Sequence, residues 1–496
     1  MGVYISGVGM TQFGKSTDPL EEMMAQAASL ALKDARLEHV DALYIGVMNV
    51  EEFVGDSNFA TLLADTIGLT GIPSTRVETA SSTGAGVFET GFYAVASGHM
   101  KNVLVLAGEK MTHLPTAKTT RIISEVIDRS ERRYGATMPA LAAMIAQRYA
   151  QEYHLSAQDL EEILSQVAIK NHSNGVLNPY AQFKKKITRE DYLKSQMVSY
   201  PLRRYDCSPI TDGAAAIILT SEHTPVVVSG IGHATDTSAV SRRASLTSFN
   251  STKEAALKAY SMAQLNPADI QFAEVHDAFT PFEIIGTEDL GFFPPGQGWK
   301  ALAEGETHLR GKLPVNLSGG LKSRGHPVGA SGLAQLVELV YQLRAEAGEE
   351  RQLRRAEVGL AQSIGGLGNN NFVTILERSD RKRVLQEGWK TSYRPEIRVL
   401  KKAASPLSSI KAGILEAFTV LYATPEGFRS PLTLGFVKTR DGERVMACNP
   451  DYRSPEELKI GKRVFLDTRE GLYVFEKFTF SRFLKRLIKG KPLSQP

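Results

Sequence analysis

Two cysteines in 496 residues, Cys207 and Cys448, are too few for a disulfide framework, a four-cysteine zinc ribbon or an iron–sulfur cluster on its usual thiolates. Charge of one sign is lacking too. The 58 basic and 54 acidic side chains leave +4, too little to demand a nucleic-acid partner. No stretch reaches the ~18 uninterrupted apolar residues of a spanning helix, and the opening MGVYISGVGMTQFG has no basic leader followed by an apolar run. A cytoplasmic location is expected from those absences. GxGxxG in a strand–helix context, GxxxxGK[ST] and HExxH are all missing. The ten histidines are ungrouped and none lies beyond His326, so no zinc is expected. What remains is a globular composition, 42% apolar and 23% charged, in a chain too long for one core. Two or three domains are expected.

The chain reads as a repeated α/β unit followed by something different. VYISGVG (3–9) is a short apolar strand stopped by glycine, and a helical pattern follows over 18–33 with Asp18 as cap and Pro19 in its first turn. VVVSGIG (226–232) repeats the strand, a helix follows over 252–264, and AEVHDAF stands where the first half has DALYIGV. KNVLVLAGEKM (101–111) and AAAIILTSE (214–222) read as buried strands, and 84–98, 137–153 and 329–346 as helices. Such alternation predicts layered α/β sheets in two halves, 1–225 and 226–380. The polar segment 112–136 reads either as a loop covering a site or as surface irregularity. Residues 381–402 carry eight Lys/Arg against two Glu and read as a basic linker (381–410). Strand patterns at 413–422, 432–439, 443–448, 462–467 and 472–478, split by PEG, DG, NP and EG turns, predict a small all-β barrel over 411–480. A basic tail (481–496) ends the chain, its amphipathic pattern reading as solvated charge over docked apolar residues.

Chemistry concentrates in four segments. VETASSTGAG (77–86) places hydroxyls at a strand–helix junction: Ser81 as a nucleophile backed by helix N–H groups, or Ser82 and Thr83 as helix caps. EVHDAF (274–279) puts His276 and Asp277 at a strand's carboxyl end, where open α/β sheets place ligands. NLSGGLKSRGHPVGASG (316–332) holds His326 in a glycine-rich run ahead of a helix, and AQSIGGLGNN (361–370) can aim N–H groups at an oxyanion.

These segments, with KNHSNGVLNPYAQF (170–183) and YDCSPITDGAAAIIL (205–219), resemble the thiolases, in particular the sterol-carrier-protein-type branch and its archaeal and bacterial relatives. The resemblance spans about residues 1–378 and implies a duplicated, layered α/β/α/β/α fold. The tail from about Lys411 resembles the OB-fold domain of the small DUF35 partners of these enzymes, here without the cysteines of their zinc ribbon. The resemblance also assigns roles. Ser81 occupies the acyl-accepting cysteine position, and Ser363 that of the proton-shuttling cysteine of a CxGG motif. His326 activates the nucleophile, and with His276 forms one oxyanion hole. The N–H groups of Ser81 and Gly365 form a second. Asn171, His172, Gly325 and Ser331 are expected to contact substrate, with a structural loop tied by asparagine side chains as the alternative reading of Asn171 and His172. Cys207 is expected to be structural and buried.

Three functions follow from the resemblance. The first is an acyl-CoA C-acyltransferase with serine for the nucleophilic cysteine. The second is a catalytically weak CoA-ester-binding subunit of a complex, and the third an aldolase-like C–C lyase on a CoA ester. Coenzyme A thioester is the implied ligand, without a covalently bound cofactor. A homodimer or higher homo-oligomer is implied, with a further thiolase-pathway protein as a possible partner.

Overall fold

The computed structural model describes residues 2–382, 412–449, 451–469 and 472–477. The basic linker from 383 and the tail lie outside the described residues. The first half comprises β1 (Tyr4–Met10), α1 (Leu20–Ala35), β2 (Ala42–Gly46), β3 (Ser74–Val77), α2 (Thr83–Ala96) and β4 (Asn102–Glu109). An excursion follows, with α3 (Thr116–Ile123), α4 (Met138–Glu152), α5 (Ala157–Val176) and β5 (Met197–Ser199), before β6 (Gly213–Thr220) closes the half. The second half comprises β7 (Val226–Thr235), α6 (Asn250–Ala263), β8 (Phe272–Glu274), α7 (Ser331–Leu343), β9 (Val358–Gly365) and β10 (Asn370–Arg378).

The strands form one sheet in the order β3-β2-β4-β6-β1-β7-β10-β9-β8. Its two arms repeat the same directions. Next to β1 runs antiparallel β6, then antiparallel β4, then parallel β2 and β3. Next to β7 runs antiparallel β10, then antiparallel β9, then parallel β8, with a parallel bridge from Ala273 to Val315 in the place of β3. The strands of the two arms pair at Tyr4–Val227 and Ile5–Val226.

Side-chain alternation assigns the layers. On β4, Leu104 and Leu106 face α1, while Val103, Val105 and Ala107 face α2 and α7; on β6, Ala216 and Ile218 oppose Ile217 and Leu219 in the same way. In the second arm Val373 and Ile375 of β10 face α6, and Leu376 faces the middle. The layers therefore run α1, sheet arm, α2 with α7, sheet arm, α6, in agreement with the expected five-layer duplication. Burial on both faces explains why these strands read as continuous apolar runs.

The tail folds as β11 (Gly413–Leu421), β12 (Leu432–Thr439), β13 (Arg444–Asn449), β14 (Arg463–Arg469) and β15 (Leu472–Lys477). Pairing runs β11-β12-β13-β15-β14 and returns to β11, with β13 parallel to β15. This is a closed OB-type barrel. It docks on the excursion, where β5 pairs with β11 at Ser199–Leu421 and Gln147 of α4 donates to the Phe418 carbonyl, and on the second half, where Arg444 donates to the Arg243 carbonyl at 2.9 Å.

Three local expectations are corrected. Asp18 does not cap α1, whose N-cap is Pro19 with no side-chain cap bond. Segment 112–136 is largely helical, containing α3, Ser124–Val126 and Arg129–Arg132. Asn171 and His172 stand on α5, whose Ser156–Asp159 capping box starts a long helix, not on a loop.

Where α2 and α7 cross, backbone meets backbone. A Cβ on Gly84 would sit 2.7 Å from the Leu333 nitrogen and 2.8 Å from the Gly329 carbonyl, and one on Gly332 would sit 2.5 Å from the Ala85 nitrogen. Gly84→Ala and Gly332→Ala are each expected to cost about 1–3 kcal/mol through overpacking, read as a lowered denaturant midpoint. An unchanged midpoint would show that the helices can part freely.

Candidate active site

Ser81 sits in a sharp turn between β3 and α2. Ala80 takes a left-handed φ of 55°, a position a non-glycine residue holds only when its surroundings enforce it. Thr83 supplies part of that enforcement, its Oγ1 accepting from the Thr79 N–H (2.9 Å) and donating to the Ala80 carbonyl (2.6 Å). Ser82 Oγ lies 2.7 Å from the Thr79 carbonyl and 2.9 Å from the Asn370 carbonyl, joining the two halves. Neither hydroxyl caps α2. Ser81, just before them, is 6% exposed and lines a cavity, and its hydroxyl takes no hydrogen bond among the described residues.

His326 leads into α7. Its backbone N–H donates to Thr211 Oγ1 at 2.9 Å, and the turn after it is held by Glu109, whose carboxyl accepts from the N–H groups of Gly329 (3.0 Å) and Met48 (3.1 Å). His326 Nδ1 lies 2.6 Å from Ser331 Oγ, and that hydroxyl donates to the Pro327 carbonyl at 2.9 Å. A hydroxyl has one proton to give, so Ser331 accepts from Nδ1–H; this network assigns the tautomer and leaves Nε2 as the free acceptor. Burial, then Arg324 and Lys322, push the imidazole down to about 3. His276 stands at right angles to it, ring centroids 5.2 Å apart. Burial, then His326 and Arg324, hold it well below its ordinary value. Both rings are neutral, and each can offer one N–H or one lone pair.

The loop carrying His276 is fixed from α5. Lys170 pairs with Glu283 at 2.7 Å and donates to the Val315 carbonyl at 2.9 Å. Asn171 Nδ2 donates to Asp277 and Glu283, each at 2.7 Å, and Asn316 also donates to Glu283 at 2.7 Å. Asp277 accepts from the Leu321 N–H at 2.6 Å and faces neither imidazole as a hydrogen-bond partner. No carboxylate therefore backs His326; Ser331 occupies that place.

Ser81, His276 and His326 line one apolar cavity of about 150 Å³ with Met111, Phe279, Val328 and Ile364. It adjoins a cleft of about 1180 Å³ through the shared residues Thr120, Pro139, Cys207, Ser208, Pro209 and Ile210. Lys185, Lys194 and Arg204 stand along the cleft, and Ala423, Thr424 and Pro425 of the barrel complete one wall. Segment 112–136 does cover the site, through Thr116, Ala117, Thr120 and Ile123.

The other sequence candidates are dispersed. Ser363 lies on β9 behind the cavity, its Oγ without a partner among the described residues and 3.1 Å from where a Cβ on Gly332 would stand. Gly365 abuts the turn at Thr79, and its neighbour Gly366 lines the cavity. His172 lines the cleft; Asn171, Gly325 and Ser331 line neither space. Asn171 and Ser331 hold other groups, and Gly325 (φ 108°) packs against Thr211 and Gln182. Cys207 lines both spaces, and burial pushes its thiol up to about 12. Sequence reasoning missed Glu109, Thr211, Glu283, Asn316 and Lys322, whose only signal is a polar residue inside an apolar or glycine-rich run. Among the described residues no group of three or more His, Cys, Asp or Glu side chains is placed to hold a metal ion, and no helix is long and apolar enough to cross a membrane.

Comparison with known proteins adds the family. Residues 3–223 match the thiolase N-terminal domain and residues 232–378 the thiolase C-terminal domain-like family. An acetyl-CoA acetyltransferase of Methanothermobacter thermautotrophicus is 42% identical over 387 residues, covering 76% of this chain and 99% of that protein. The benzoylsuccinyl-CoA thiolase subunit BbsB of Thauera aromatica is 34% identical over 360 residues, covering 69% and 89%. In fold, the chain is similar to a monomeric SCP2-thiolase like protein type 1 of Mycobacterium smegmatis (TM-score 0.73, 15% identity, 96% and 99% covered) and to the Ltp2–ChsH2(DUF35) aldolase (TM-score 0.66, 24% identity, 77% and 99% covered).

The depressed value of His326 links to stability. Between about pH 6.5 and 3 the unfolded chain binds a proton at this ring that the folded chain refuses, so stability is lost as pH falls through that window. The slope from one such group approaches ~1.4 kcal/mol per pH unit. Urea midpoints of His326→Gln are expected to fall less steeply than wild type between pH 6.5 and 4.5; parallel lines would show the ring is not held neutral.

Proposed function

Because the chain belongs to the thiolase family, we propose that it binds acyl-CoA thioesters in the large cleft and transfers their acyl group through Ser81. The observation that carries this reading is the convergence of an otherwise unengaged Ser81 hydroxyl and two neutral imidazoles on one apolar cavity at the cleft's inner end. In the attack, Ser81 Oγ bonds to the thioester carbonyl carbon while its proton passes to His326 Nε2. The C–S bond then breaks, the CoA thiol leaves with that proton, and an ester remains on Ser81. An alkyl hydroxyl is too weak an acid to ionise beforehand, so base and nucleophile must act together. The His276 ring and the N–H groups of Ser81 and Gly365 are the proposed donors to the oxyanion. Ser331 positions His326, and Ser363, behind the cavity, is the proposed remnant of a proton shuttle. A homodimeric or larger core, and domain limits at 225, 380 and 410, belong to the same proposal.

A second reading has its own observation. The hydroxyl in place of a carboxylate behind His326 gives little stabilisation to the imidazolium formed during attack. That favours a CoA-ester-binding subunit of low turnover.

Incubation with acetyl-CoA decides between them. Acyl transfer predicts an acetyl ester on the Ser81 peptide with release of CoA, abolished in Ser81→Ala and slowed about 10²–10⁴-fold in His326→Ala. Ser81→Cys, with a thiol of reference pKa ~8.5, is expected to acylate faster than wild type. Binding of CoA with neither ester nor release would leave only the second reading.

A further inference from the structure

Four buried cations of the core are ion-paired, and a fifth, Arg243, donates to the Thr237 and Leu367 carbonyls. Lys110 meets Asp212 at 3.1 Å, Lys170 meets Glu283 at 2.7 Å, Arg324 faces Glu274 at 3.6 Å, and Arg351 pairs with Glu338. Lys322 is different. It is 2% exposed, and its Nζ has no hydrogen-bond partner among the described residues. The short helix Gly320–Ser323 that carries it is locked by the Leu321 N–H on Asp277, and the side chain enters the wall of the large cleft beside His172, Tyr205 and Cys207.

The nearest acids are committed elsewhere. Asp206 accepts from Tyr192, Thr280 and the Arg203 N–H, each at 2.7 Å, and Asp277 accepts from Asn171 and Leu321. They act on Lys322 through charge alone, and burial outweighs them, pushing the amine down to about 8. A desolvated lysine whose lone pair is within reach at mild pH is a nucleophile. The adjacent thiol is a poor competitor. Cys207 contacts the Arg203 carbonyl at 3.6 Å, and burial keeps it protonated.

We propose that Lys322 is an acyl acceptor of the cleft, its Nζ taking the acyl group of a CoA thioester bound there to form an Nε-acyl-lysine. The inference rests on the CoA-ester reading above. The amine nitrogen bonds to the thioester carbonyl carbon, the C–S bond breaks, and the departing CoA thiolate takes the proton that nitrogen releases. The product amide is neutral and removes a buried, unpaired charge. Its acyl group occupies the cleft next to Cys207, on the route to Ser81, so modification limits further entry.

The test uses the wild-type full chain and acetyl-CoA, with peptide mass analysis over time. Acetylation of Lys322 is expected to outrun that of the exposed cleft residues Lys185 and Lys194 by more than about 10-fold, as a bound reactant outruns encounter from solution. The adduct should resist hydroxylamine, persist in Ser81→Ala, and be suppressed by excess desulfo-CoA while Lys185 is unaffected. Labelling of Lys322 no faster than Lys185, or labelling indifferent to desulfo-CoA, overturns the proposal. Calorimetric titration of CoA into the same preparation separates the two failures. CoA binding without a Lys322 adduct sinks this inference alone, and no CoA binding with only rim-rate labelling sinks both.

Discussion

The site depends on the contact between the N-terminal ends of α2 and α7, where Gly84 faces the Leu333 nitrogen and Gly332 faces the Ala85 nitrogen with no side chain between. Ser81 directly precedes the N-cap of α2, and His326 directly precedes the turn into α7. Two helices from different halves can bring such residues into one 150 Å³ cavity only when their backbones nearly touch. The same closeness makes the middle layer continuous, since Val87 and Phe88 of α2 and Leu333, Val337 and Val340 of α7 share one apolar cluster. Fold and chemistry are thus tied to a single steric condition, which glycine meets and alanine does not.

Electrostatics completes the arrangement by consuming charge around the cavity. Glu283 is engaged by Lys170, Asn171 and Asn316, and Glu274 by Ser318 (2.5 Å) and Arg324. Each ion or dipole holds a loop and offers nothing to the reacting centre. Glu109 shows the cost of such a role: burial pushes its carboxyl well above the ordinary range, and Oε1 has no partner among the described residues. The cavity itself is left with neutral rings and apolar walls, where a few hydrogen-bond donors act strongly because little competes with them.

Much of this was legible in the sequence, for physical reasons that differ by element. β4 and β6 are buried on both faces, so their apolar runs stood out, and the five barrel strands were bounded by turns whose glycines must take positive φ, as at Gly427 and Gly442. Ser81, His276 and His326 were legible because glycine-rich junctions mark close backbone approach. The roles of Asn171 and Ser331 were not. Both are defined by partners distant in the chain or by a single proton's direction, Asn171 reaching Asp277 across 106 positions. Lys322 was hidden for the opposite reason, since its significance is a missing partner, and sequence spacing does not register one.

Reactivity at His326 follows from what surrounds Nε2. A base that takes a proton only during attack must become an imidazolium, and here no carboxylate waits behind it. Ser331 contributes a dipole, while Arg324 and Lys322 oppose the new charge. A thioester asks less of such a base than an amide does, because its thiolate departs readily, so the first step is the one this geometry serves best. The ester left on serine is less activated, and any later attack on it meets the same discouraged imidazole. Lys322 is the adjustable part of that field. Loss of its charge, by transfer of a proton or an acyl group, removes one of the two cations that depress His326 and makes the imidazolium easier to form. The amine of the large cleft therefore weakens the base of the small cavity through space, after burial and Arg324.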